Sequence, residues 1–280
     1  MGYFIGNSKK RRLLFLFPHP DDESFACAGT MAKYSELGHH IYLVTATSGD
    51  KGKCGPYSIT CQKELAVWRE HELTNAIRCL GVSDLFLYRY PDGGLAQMDQ
   101  NVLAERVLQT LLSMKPEIII TFPPDGVTGH PDHIALSLAV EIAVKRFEVQ
   151  VSPQDSPDLY YVFIPHYYDH CTECAPQAAF PITAKVDISK YKNQKGKALQ
   201  EYKSQEYSVN KAFPGVLQGD FSVIDPYEYY TLIRSQGRNE FANRSIKHIN
   251  TVEAFTKGEH DPKLQVASVP TICFFKNWDE

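Results

Sequence analysis

Short apolar runs alternate with longer stretches of helical period through the first half of this chain. Leu13–Phe17, Ile41–Ala46, Leu85–Tyr88 and Ile118–Phe122 have the length and residue types of buried strands. Between and after them, helices are predicted over Phe25–Leu37, Gln62–Leu80, Gln100–Met114 and His133–Phe147. Leu73, Ala76, Ile77 and Leu80 mark one face of the second helix, and Leu103, Val107 and Leu111 one face of the third. Gly38 and Gly81 sit where a helix end needs a left-handed residue. Asp99 sits where a side-chain oxygen would cap a helix start. Strand and helix in alternation predict an α/β fold, a Rossmann-like, mostly parallel sheet with helices on both faces.

The pattern changes downstream. Ser152–Asp158 is polar with two prolines and reads as a loop. Tyr160–Ile164 and Ala184–Ile188 read as further strands, separated by the irregular stretch Pro165–Pro181. A helix is predicted from about Gln194 to Tyr202, and another over Tyr227–Ser235. With no internal repeat or low-complexity linker, the expectation is a single domain over 1–280. Its core spans about 12–205, and 206–280 form a C-terminal extension.

Composition narrows the function classes. The chain has 280 residues, 43% of them hydrophobic, enough for a sizeable core. Net charge is -4, so no bulk positive field draws nucleic acid. The one compact basic run, Lys9–Arg12, precedes a strand and reads as a solvated flank. No run of 18 apolar residues offers a membrane span, and the N-terminus lacks a signal-peptide core. Seven cysteines, an odd number, read as reduced thiols, and the expected location is cytoplasmic. A homo-oligomer is left open.

The candidate chemistry lies at strand ends. Pro18-His19-Pro20-Asp21-Asp22-Glu23 follows the first apolar run, and His130-Pro131-Asp132-His133 follows the fourth. Ser48–Asp50 and Asp92 also fall at strand ends. In open α/β sheets ligands bind beyond the carboxyl ends of strands. Only one of three successive acids can cap a helix, and the others repel, so capping alone does not explain Asp21–Glu23. Two strand ends carrying His and Asp can converge on one metal ion, and zinc takes such ligands while keeping a position for water. A carboxylate left over beside the ligands is placed to take a proton from that water. His130 and His133, spaced i, i+3, allow one ring to bind metal while the other faces substrate. No glycine-rich fingerprint follows the first strand, which argues against a nucleotide cofactor.

These residues resemble the LmbE-like zinc deacetylases, which include the PIG-L enzymes and the deacetylases of mycothiol and bacillithiol synthesis. The resemblance rests on Pro18–Glu23, Thr47–Asp50, Arg69-Glu70-His71-Glu72-Leu73, Asp92 and Gly129–His133, with a weaker echo at Lys197–Leu199 and Ser204-Gln205. It covers about residues 12–205. It implies one Zn2+ per chain on His19, Asp22 and His133, with Asp21 as general base. It implies that His130 stabilises the oxyanion or protonates the leaving amine. Arg69 is implied to contact the substrate and Asp92 to face a sugar. The expected reaction is removal of acetyl from an N-acetylglucosamine-type small molecule. The neighbouring readings are an amidase for another amide or thiol conjugate, and a metal-binding module without catalysis. A free carboxylate at Asp21 favours an enzyme over the module.

The chain departs from the family at two places. Thr128 stands where several relatives carry Tyr, and Tyr202 where the family often has His. A metal's charge would push the His130 pKa down and Asp132 or another carboxylate would push it up; the carboxylate is expected to win and leave His130 cationic near neutral pH. The compact group His166, His170, Cys171 and Cys174 could hold a structural zinc, but loop thiols are the default reading.

Overall fold

The computed structural model describes residues 10–164, 182–240 and 271–272. In chain order the elements are β1 (Arg12–Phe17), α1 (Asp22–Ala26), α2 (Ala28–Glu36), β2 (His40–Thr47), α3 (Gln62–Leu80), β3 (Asp84–Tyr90), α4 (Gln100–Met114), β4 (Ile118–Thr121), α5 (Pro131–Glu148), β5 (Asp158–Phe163), β6 (Ala184–Asp187), α6 (Lys192–Glu201), α7 (Glu206–Ala212), β7 (Tyr227–Ser235) and β8 (Arg238–Asn239). The sheet order is β3-β2-β1-β4-β5-β7-β6, with β8 paired to β7. The strands from β3 to β5 run parallel, and β7 is antiparallel to both of its main neighbours.

β1 explains why its run is apolar throughout. It pairs with β2 through Leu13↔Ile41 and with β4 through Leu13↔Ile118. Alternate side chains then enter two different cores. Leu13, Phe15 and Phe17 join the core under α1, α2, α3 and α6, while Leu14 and Leu16 join the one under α4 and α5. A strand covered on both faces has no solvent side and no polar alternation. Burying each such side chain stabilises the fold by roughly 1.5–3 kcal/mol. The chain runs from β1 to β2 and β3 on one side, then crosses back to β4 on the other. The order therefore reverses between β1 and β4, and the crevice beyond their ends is where such sheets bind ligands.

Helix ends follow local chemistry. Gly81 takes φ 68° at the end of α3. After α2, the N–H of Gly38 bonds to Ser35 and that of His39 to Tyr34, the Schellman pattern. The Asp99 side chain accepts from the Asn101 N–H at 2.8 Å, capping α4.

Two expectations are overturned. The helix over Phe25–Leu37 is two helices, broken at Cys27 with φ -135° and ψ 10°. The α2 N–H groups of Gly29 and Thr30 bond to the Glu228 carboxylate, at 3.0 and 2.8 Å. That partner lies 199 positions away from Gly29, beyond any local reading. The segment Tyr227–Ser235 is a strand, not a helix. Its Tyr, Thr and Ile residues favour a pleated surface, and both sides of it find partner strands. The four described cysteines are free thiols. The group His166, His170, Cys171 and Cys174 lies outside the described residues. No helix among the described residues is long and apolar enough to cross a membrane.

Candidate active site

The turn after β1 is held open by long-range contacts. Pro18 O accepts from the Thr47 N–H at 2.8 Å, tying the turn to the end of β2. Asp21 has φ 107° and ψ -34°, outside the regions an L-residue prefers. Such a conformation costs on the order of 1–3 kcal/mol and persists only where surroundings enforce it. Here Asp21 O accepts from the N–H groups of Ser24 and Phe25. The Arg69 guanidinium donates to Pro20 O and, at 3.1 Å, to Asp21 Oδ2.

Three side chains from the two strand ends meet in the crevice. His19 Nδ1 and His133 Nε2 are 3.2 Å apart. Asp22 Oδ2 lies 3.5 Å from His19 Nδ1, and Asp22 Oδ1 lies 3.5 Å from His133 Nε2. Ligands about 2.0–2.1 Å from a tetrahedral ion stand roughly 3.3–3.4 Å from one another. The two ring nitrogens, and the Asp22 oxygen nearest each of them, therefore stand at about the spacing of neighbouring ligands in such a shell. The remaining ring nitrogens are also committed. His133 Nδ1 is 3.0 Å from Gly126 O, and His19 Nε2 is 3.1 Å from Asp92 and 3.3 Å from Asp132. Acceptors on the far nitrogens fix both tautomers and leave Nδ1 of His19 and Nε2 of His133 for a metal. Among the described residues, the groups with one ligand atom each within 4.8 Å of one another are His19, His130 and His133, and His19, Asp92 and Asp132, while Asp22 meets His19 and His133 through different oxygens.

The electrostatics follow from burial and pairing. Burial works against charge on His19, but hydrogen bonds to Asp132, Asp22 and Asp92 win and raise its pKa well above the usual value. His133 is pushed down to about 4, chiefly by burial, so it is neutral and ready to ligate near pH 7. Burial raises Asp21 to about 8; Arg69 opposes this, and Asp22 and Glu23 reinforce it. A divalent cation nearby would lower it again. Asp92, although buried, is held at about 2 by its bond to His19.

His130 is the N-cap residue of α5, and its Nδ1 accepts from the Asp132 N–H at 3.1 Å. Its pKa is lowered, first by burial and then by the charge of His19, against Asp132, Asp22 and Asp92. The expectation that a carboxylate wins and makes His130 cationic is thus reversed. The capping bond adds a reason, since a protonated Nδ1 could not accept it. The neutral ring with its proton on Nε2 still offers a donor.

Arg69 is buried and does not pair with Glu72 in its own helix. It donates to Gly49 O at 3.0 Å as well as to the Asp21 turn. Glu72 instead accepts from the Ser204 N–H at 2.7 Å and the Ser204 hydroxyl at 2.6 Å. Glu70 accepts from the Ser48 hydroxyl at 2.6 Å. The two motif acids thus tie α3 to the late segment and to the end of β2. A cavity of about 300 Å³ opens over the cluster, lined by His19, Asp21, Asp22, Arg69, Asp92, His130 and His133, and walled by Lys51 and Gln205. That volume is at the lower end of small-molecule sites.

Sequence reasoning missed Asp132 as a working residue. It is fully buried, faces His19, and accepts from the N–H groups of Gly93 and Leu95 at 2.7 and 3.0 Å. An acid in a first helical turn reads as a dipole partner, which hid it. Gly126 was missed because a backbone carbonyl carries no side-chain signal. Its φ is 68°, and a Cβ there would meet His133 Cβ at 2.7 Å.

Sheet, crevice and donor set together place a candidate His/Asp metal site beyond the strand ends of an α/β fold. Residues 14–144 match the family model PIG-L: GlcNAc-PI de-N-acetylase. The chain is 31% identical, over 79% of its length and 95% of the relative's, to a 1D-myo-inositol 2-acetamido-2-deoxy-alpha-D-glucopyranoside deacetylase of Saccharomonospora viridis. The chain belongs to the PIG-L family. Among solved structures it resembles an N,N'-diacetylchitobiose deacetylase from Pyrococcus horikoshii, with 21% identity, coverage of 81% and 84%, and a TM-score of 0.59. It also resembles a 4-carboxy-2-hydroxymuconate hydratase from Pseudomonas putida, with 15% identity, coverage of 80% and 96%, and a TM-score of 0.61. The fold therefore hosts more than one chemistry, and the site has to decide.

Proposed function

We propose that this chain is a zinc-dependent deacetylase that hydrolyses the N-acetyl group of an N-acetylglucosamine-type substrate. The observation that carries the reading is one cavity holding both a metal-competent trio and a separate carboxylate, Asp21, beside it. The naming of the inositol-sugar relative as a deacetylase supports the substrate class. His19, Asp22 and His133 would hold zinc, which supplies Lewis acidity, drawing the pKa of water toward neutral and polarising a carbonyl.

The remaining work belongs to the chain's own side chains. Asp21 takes a proton from the attacking water. The water oxygen bonds to the acetyl carbon, and the carbonyl oxygen gains negative charge. His130 Nε2–H donates to that oxygen. The C–N bond then breaks, and Asp21 returns its proton to the departing amine nitrogen. The acid formed gives up the second proton of the water to the amine or to solvent, acetate and amine leave, and Asp21 is restored. Arg69 orients Asp21, and Asp92 keeps lone pairs for a sugar hydroxyl.

The test is a panel of N-acetylglucosaminides and unrelated amides offered to the zinc-loaded protein. Amine and acetate should appear in equal amounts from the acetylated sugars, stop with a chelator and return with zinc. Turnover only of amides lacking a sugar would overturn the substrate class. No turnover of any amide would overturn the enzyme reading.

A further inference from the structure

Glu23 takes no part in the hydrolysis above, yet it is fully buried in the turn that carries Asp21. Its Oε2 accepts from the Asp21 backbone N–H at 3.1 Å. Its Oε1 accepts from the Ser24 hydroxyl at 2.6 Å and from the Tyr202 hydroxyl at 2.5 Å. Tyr202 is also fully buried and directly follows α6, 179 positions downstream.

We propose that Tyr202 and Glu23 form a positioning relay that holds the Asp21 peptide in its positive-φ conformation and so aims the Asp21 carboxylate into the cavity. The proposal rests on Asp21 being the general base. A buried backbone N–H requires an acceptor, and Glu23 is the one Asp21 has. A buried carboxylate in turn requires donors, and Tyr202 supplies one from outside the turn. Without the phenol, Glu23 keeps only the donors of its own local segment, Ser24 and Asp21. The Asp21 peptide can then relax from φ 107° toward an ordinary region. That rotation swings the side chain, and a displacement of about 1 Å in a reacting group can cost ~10²-fold in rate.

The test is a double-mutant cycle on zinc-loaded protein. Tyr202→Phe keeps the ring and removes only the donor. It should leave zinc content and KM within about twofold and lower kcat by roughly 10- to 100-fold, the range for a hydrogen bond to a charged group. Added to Asp21→Asn, it should lower the residual rate no further, because its effect passes through Asp21. Glu23→Gln, which keeps the shape but loses the charge, should show the same dependence on Asp21. An impaired Asp21→Asn variant whose residual rate falls again with Tyr202→Phe would overturn the relay alone. So would a Tyr202→Phe variant with unchanged kcat or with a change confined to KM. Near-normal turnover of Asp21→Asn would overturn the base assignment, and the relay with it.

Discussion

His133 and Asp21 line the same cavity but should fail differently. His133 is buried, neutral and 3.2 Å from its partner nitrogen, so its loss removes a ligand atom. His133→Ala should strip most zinc, measured by metal analysis of the purified protein; full zinc retention would sink the ligand set. Asp21→Asn should keep its zinc and lose about 10²–10⁴-fold in kcat, the usual weight of general acid–base catalysis. His130 is pinned by its capping bond as a neutral donor. His130→Ala should therefore lower kcat far more than it raises KM, with zinc unchanged. The basic limb of the kcat/KM profile should remain in that variant. Its disappearance would show that His130 acts as a cation after all. At this scale His19, Asp22 and His133 were legible because three chemically expensive side chains in two short motifs have few structural uses. Asp132 and Gly126 O were not, since neither differs locally from an ordinary helix start and turn.

Among the elements, α2 and β7 depend on each other. Glu228 on β7 accepts from two N–H groups of α2 and pairs with the buried Lys195 of α6 at 2.8 Å. Lys195 also donates to Phe25 O at 3.0 Å, in α1 beside the site. Removing one partner of a buried pair leaves an uncompensated charge and typically costs about 3–5 kcal/mol. Glu228→Gln should lower unfolding free energy by an amount of that order, read from the urea midpoint at unchanged slope. A change of a few tenths would mean that Lys195 finds another acceptor. The α3 and α4 boundaries were legible because each helix carries its own stripe and cap. The break at Cys27 and the strand at Tyr227–Ser235 were not. The acceptor for α2 and the partners of β7 come from distant parts of the chain, and pairing overrides a weak local period.

Over the whole molecule, metal, protons and folding are linked through the crevice. In the metal-free protein His19 has acceptors at both ring nitrogens, and its pKa is raised. Its bound proton contributes stability that is fully present below about pH 6.5 and is lost as pH rises through the raised value. Zinc would displace that proton, whereas His133, at about 4, has none to give near neutrality. At about pH 6, below the range where water on zinc ionises, uptake should release between one and two protons: one from His19, and the rest from Asp21, which is held at about 8 without the metal and lowered by the cation. Calorimetry in buffers of different ionisation enthalpy measures this directly. Release near zero would contradict the assignment of His19 as the protonated ligand, and release above two would implicate His133 as well. Zinc affinity should fall about tenfold to a hundredfold for each unit of pH below that point, in step with the number of protons released.

The sequence by itself determined the strand–helix alternation, the parallel core from β1 to β5 and the two motifs at strand ends. Those features are written in local periodicity and in residue types with few alternative uses. Only the tertiary structure decided which groups stand behind them. It put Asp132 and Gly126 O behind the histidines, Arg69 behind Asp21, and Glu228 under α2. The physical reason is the same in each case. A buried polar group must find a partner, and which one it finds depends on where the sheet brings the chain back, not on its neighbours in sequence.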